Sequence, residues 1–194
     1  MLTLTTRHQV VIGMILLLML VLTRGQHAAS IDSLPAATLA TFFLAGVYIA
    51  SAWFLALLFT AAALVDYLAI TVGDVNSFCF TPAYSLLIPA YGALWLAGRV
   101  YTTYYRYHWV TLIPLSISVF IGALISELLS SGGFYRFSGH FTDPTLVEFG
   151  ERLVKYFPSS LSNMVFYIVI AMMIHSAFLV IRKMNHSSIE ADLT

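Results

Sequence analysis

Charge is almost missing from this chain. Nine basic and nine acidic residues make up 9% of its 194 positions, against about 25% in an ordinary soluble domain. The shortage excludes a soluble globular protein, and the exact balance of signs removes any electrostatic case for a nucleic-acid partner. Cysteine is nearly missing too. The single thiol, Cys79, excludes an intrachain disulfide and any CxxC metal site. No phosphate-cradling glycine loop is present, so the chain does not hydrolyse nucleotide by itself. Neither GxSxG nor HExxH occurs, which leaves an intramembrane hydrolase without its machinery.

Hydrocarbon takes the place of charge: 60% of the residues are hydrophobic, and the mean hydropathy is +0.88. The pattern predicts an all-α integral membrane protein, a single domain with six spans over about 8–24, 37–50, 53–70, 82–98, 109–129 and 160–182. The first span rests on Val10–Leu22, an apolar run flanked by Arg7 and Arg24, which extend it by snorkelling. A secretory signal ending near HAAS is the rival reading of that segment. Ala36–Ile70 is uncharged until Asp66. As one helix it would reach roughly 50 Å, well beyond a ~30 Å hydrocarbon core, so it must break into two. The break is expected between Tyr48 and Trp53. Thr81-Pro82 reads as the start of the fourth span, with Thr81 as N-cap and Pro82 in the first turn. Pro89 is expected to kink that span. RVYTTYYRYHW at 99–109 suits a headgroup layer.

Two connections are expected as outer loops, 71–81 and 130–159, the second containing SSGG and a short surface helix opened by Asp143-Pro144. With six spans both termini share a side. Five basic residues then lie inside (Arg7, Arg99, Arg106, Arg182, Lys183) and four outside (Arg24, Arg136, Arg152, Lys155), a small bias toward cytoplasmic termini.

Within this frame a few residues carry chemistry. Asp66 is an acid about 6 Å from the end of its helix, where an ionisable group is costly and is a functional candidate. Its alternative is a solvated interface acid. Cys79 lies between Phe78 and Phe80, just before the fourth span. The helix N-terminus favours its thiolate, and burial opposes it. A soft metal would deprotonate it outright. A structural thiol is the competing interpretation. Tyr84, one turn into the helix, can offer a hydroxyl to the same space. His175, in the middle of the last span, wants a polar partner.

The residues that carry a resemblance are DYLAI at the end of span three, one cysteine in the following loop, TPAYSLLIPAYGALWLAGR, and Glu127 closing span five. Six spans bearing these motifs resemble the BtuM family, the solitary cobalamin-binding S-components related to energy-coupling factor transporters. The specific part covers Phe42–Glu127, and the architecture covers the whole chain.

The resemblance implies uptake of vitamin B12 across the bacterial inner membrane. It makes Cys79 the axial cobalt ligand, able to displace an upper cyanide, with Asp66 and Tyr84 beside it and Arg152 in the second outer loop. The implied partners are cobalamin and the lipid bilayer, with no intrinsic cofactor. Span one has Gly13 as its one small residue and no AxxxA-type face for a coupling subunit. That fits a solitary transporter and leaves open both the energy source and any coupling ATPase module. An S-component for another vitamin or a metal ion, and a thiol-dependent membrane oxidoreductase, are the alternatives.

Overall fold

The computed structural model describes residues 5–24, 34–72, 81–105, 109–139, 141 and 144–192, with the backbone alone at 109, 180, 182, 183 and 185–192. Among these residues the chain is all-helical. It forms α1 (Thr6–Arg24), α2 (Thr38–Tyr48), α3 (Ala52–Thr71), α4 (Leu87–Tyr104), α5 (Leu112–Phe137) and α6 (Leu146–Asp192), with 3-10 turns at Pro82–Leu86 and Trp109–Thr111. Four of the helices, α1, α3, α5 and α6, are long and apolar enough to cross a membrane.

The centre of the bundle is α2. Phe42, Phe43, Ala40 and Ala45 are fully buried there, because α1, α4 and α6 pack round it. Its tightest neighbour is α4. A Cβ on Gly46 would lie 2.1 Å from the Trp95 carbonyl oxygen, and one on Gly98 would lie 2.2 Å from that of Phe43. Small residues on both sides let the two backbones touch, as in close helix pairs within membranes. At 11 residues, α2 is only roughly 16 Å long. It ends where Ile49 and Ser51 turn extended, so the break in the long apolar stretch lies inside Tyr48–Trp53.

The other helices show one inward stripe and otherwise apolar outward faces. In α1 the buried positions are Gly13, Leu16, Leu20 and Thr23, spaced three and four apart as a single helix face requires. Only Leu58 and Ala62 are buried along α3. Thr23 fastens the end of α1 to the start of α2: its hydroxyl donates to the Met19 carbonyl at 2.8 Å and accepts from the Ala37 N–H at 3.1 Å.

Two expectations need correction. Residues 130–159 are not one long loop. Helix α5 continues to Phe137 and α6 begins at Leu146. The SSGG segment stays helical because Ser130 donates to the Ser126 carbonyl at 2.8 Å and Ser131 to the Glu127 carboxylate at 2.6 Å, so its hydroxyls do not compete with the helix from outside. Its glycines serve packing: a Cβ on Gly133 would lie 2.2 Å from the Leu86 side chain. The acidic run that follows belongs to α6 itself, which Thr145 caps with its hydroxyl 3.3 Å from the Glu148 N–H and which carries Pro158 inside it.

The second correction concerns the start of the fourth span. Thr81 is extended and Pro82 lies in the first turn, but the Thr81 hydroxyl makes no capping bond and is buried without a partner among the described residues. The chain enters α4 through a 3-10 turn. Pro89 offers no N–H to the carbonyl four residues earlier, which favours that tighter winding ahead of it.

Candidate functional site

At one end of the bundle a cavity of about 310 Å³ opens between the end of α1, the end of α3, the 3-10 turn before α4, the last third of α5 and the first turns of α6. Apolar side chains make most of its wall, including Leu87, Phe134, Phe149 and Leu153. Its charged lining is Arg24, Asp66, Glu127 and Arg152, with Tyr84 among them.

Arg24 is the last residue of α1, where the apolar stripe stops. Its guanidinium grips Asp66 with both arms: Nε donates to Oδ1 and Nη2 to Oδ2, each at 2.7 Å. The third donor, Nη1, reaches the Tyr91 hydroxyl at 2.9 Å. Tyr84 donates to Asp66 Oδ2 at 2.7 Å. Asp66 therefore accepts three hydrogen bonds and joins α1, α3 and the entrance to α4. The side chains are 11% exposed for Arg24 and 24% for Asp66, so the pair sits in reduced solvent and its fork geometry is worth more than a surface pair. Tyr91 is fixed in turn by stacking on Phe42, with ring centroids 4.4 Å apart.

The opposite wall is built by α5 and α6. Glu127 is 8% exposed, and its Oε1 accepts from Ser131 at 2.6 Å. Tyr135 ties the two helices together: its hydroxyl donates to Glu148 Oε2 at 2.6 Å and accepts from the Thr145 N–H at 3.1 Å. Arg152 lies at the exposed rim. Its guanidinium is 5.0 Å from the ring centre of Phe141, 5.7 Å from Tyr156 and 5.9 Å from Tyr135, distances at which aromatic faces attract a cation.

The structure thus brings Asp66, Tyr84 and Arg152 round one cavity. Cys79 lies outside the described residues, as does most of the expected 71–81 loop. No group of three or more His, Cys, Asp or Glu side chains is arranged to hold a metal ion among the described residues. His175 finds its partner away from the cavity, with Nε2 3.2 Å from the Tyr105 hydroxyl.

Sequence reasoning missed Arg24, read there only as a snorkelling flank, and it missed Tyr91 and Ser131. The signal for Arg24 was present. In an alternating bundle the ends of α1 and α3 point the same way, which puts Arg24 and Asp66 at one level. No protein-family model matches the chain, and a search of curated proteins found no significant match.

Proposed function

We propose that this chain is a six-span membrane protein that binds cobalamin and carries it across the bacterial inner membrane, with both termini cytoplasmic. The single observation that carries the reading is the cavity holding Asp66, Tyr84 and Arg152 together, because these three were expected to flank one ligand. The apolar outward faces of α1, α3, α5 and α6 support a bilayer environment, and cytoplasmic termini would make the end of the bundle with the cavity the outer one. In this reading α2 and α4, packed closely against each other, supply the remaining two spans.

In this reading Cys79, two residues before Thr81, supplies an axial thiolate to cobalt. Decyanation is then a ligand exchange. The thiolate sulfur donates an electron pair to Co(III) as the Co–C bond breaks, and cyanide leaves with its own pair. Cobalt stays Co(III), so no external reductant is needed for that step.

The cavity holds about 310 Å³, less than a whole corrinoid occupies. Binding therefore requires the α1–α3 side and the α5–α6 side to separate at this end. The weakly buried α3 is the element with least packing to lose. The same volume favours a second reading, an S-component for a smaller vitamin with polar groups at both ends.

Purified protein saturated with cobalamin tests the proposal. A visible spectrum showing a changed axial ligand, lost in Cys79→Ser, is the expected result. A protein that retains no corrinoid overturns the cobalamin reading and leaves the smaller vitamin as the ligand to titrate.

A further inference from the structure

Within the cavity the charges are not equivalent. Arg24 and Asp66 satisfy each other, and theirs is the one ion pair among the described residues. Glu127 has no such partner among the described residues. It is more than nine-tenths buried, it lines the cavity, and Ser131 occupies one of its oxygens. Its other oxygen has no donor among the described residues. A carboxylate offers about four acceptor positions, and leaving them without donors out of water is costly. Across the cavity mouth, Arg152 has aromatic faces round it and no carboxylate partner among the described residues. An acceptor in the wall and a donor at the rim are therefore both open toward the same space.

One neutral group answers both. A primary amide presents an N–H₂ to a carboxylate and a carbonyl oxygen to a guanidinium. A cavity of about 310 Å³ accommodates an amide arm but not a macrocycle. A corrinoid is a macrocycle rimmed with such arms. We propose that Glu127 contacts the ligand as a specificity residue, accepting N–H donors from a side-chain amide of the corrinoid and rejecting the corresponding carboxylate. This rests on the cobalamin reading. Ser131 acts as a positioning residue, holding one carboxylate oxygen so that the other meets the amide. Replacing the amide with a carboxylate would set two negative groups against each other in a site of low dielectric, where like charges strongly disfavour each other.

The test titrates detergent-solubilised protein with two probes by visible absorbance: cobalamin, and cobalamin whose side-chain amides have been hydrolysed to carboxylates. Hydrogen bonds to a charged group are strong enough that the intact amide form should bind roughly tenfold or more tighter to the wild type. In Glu127→Gln the preference should narrow to within about threefold, because the new amide donates to the carboxylate probe. Glu127→Asp keeps the charge, so it should keep rejecting the acid while binding the amide form several-fold more weakly. Melting temperatures check that each variant is folded. If Glu127→Gln does not fold, the Glu127→Asp arm decides, and unchanged affinity for both probes there overturns the inference. Wild-type binding with an undiminished preference in Glu127→Gln also overturns the inference and leaves cobalamin as the ligand. A wild type that binds neither probe overturns the cobalamin reading and this inference with it.

Discussion

Removing Asp66 should cost more than removing Asp66 and Arg24 together. In Asp66→Leu the Arg24 guanidinium keeps its charge at 11% exposure and loses two of its hydrogen bonds, while Tyr84 loses its acceptor. Breaking a buried pair from one side costs about 3–5 kcal/mol. Asp66 is 24% exposed, and water reaching that side reduces the expected cost to about 2–4 kcal/mol. For a chain of this size each kcal/mol moves the melting temperature by about 2–4 °C, so the single variant should melt roughly 5–15 °C lower. Arg24→Met with Asp66→Leu removes both charges and leaves apolar groups of similar bulk. Such replacements are often near neutral, so the double variant should melt closer to the wild type than Asp66→Leu does. Thermal unfolding in detergent, followed by circular dichroism across the four-member cycle, measures the coupling. Losses that simply add, or a single variant within about 2 °C of the wild type, would refute a clasp of this kind.

Four further outcomes follow from the geometry. Tyr84→Phe removes one hydrogen bond to a carboxylate and should destabilise the protein by about 1–2 kcal/mol, read in the same melts. Gly98→Val places a branched side chain where a Cβ alone meets the Phe43 carbonyl oxygen at 2.2 Å, so folded yield on size-exclusion chromatography should collapse. Gly92→Ala has nothing within 4 Å of its new Cβ and should be neutral or stabilising by up to about 1 kcal/mol. Arg152→Ala removes the rim cation, and it should weaken cobalamin binding several-fold in an absorbance titration with little change in melting temperature, since the side chain is exposed.

The parts of the fold that hydrophobic runs dictate were legible in the sequence. The apolar stretches produced α1 and α3, and the length limit on a spanning helix required the break that falls at Ile49–Ser51. What misled was local polarity. SSGG reads as a loop because serine and glycine favour turns, yet here serine hydroxyls bond back within the helix and Gly133 makes room for Leu86. The acidic run after Asp143-Pro144 reads as a short surface helix within a loop, but it opens the long helix α6, whose first turns wall a cavity. In the site, Asp66 stood out because an acid in hydrocarbon needs a reason. Arg24 did not, because a basic residue at the end of an apolar run already has an ordinary one. Only tertiary packing shows that its fork points inward at Asp66.

The central claim concerns Cys79 and cobalt, and one spectrum tests it most directly. Wild-type protein and Cys79→Ser are purified in cobalamin, washed, and compared by visible absorption. The account predicts a coloured wild type whose bands are shifted by thiolate ligation, and a folded variant that shows the spectrum of free cobalamin or none. Identical bands in the two proteins would contradict a cobalt–thiolate bond.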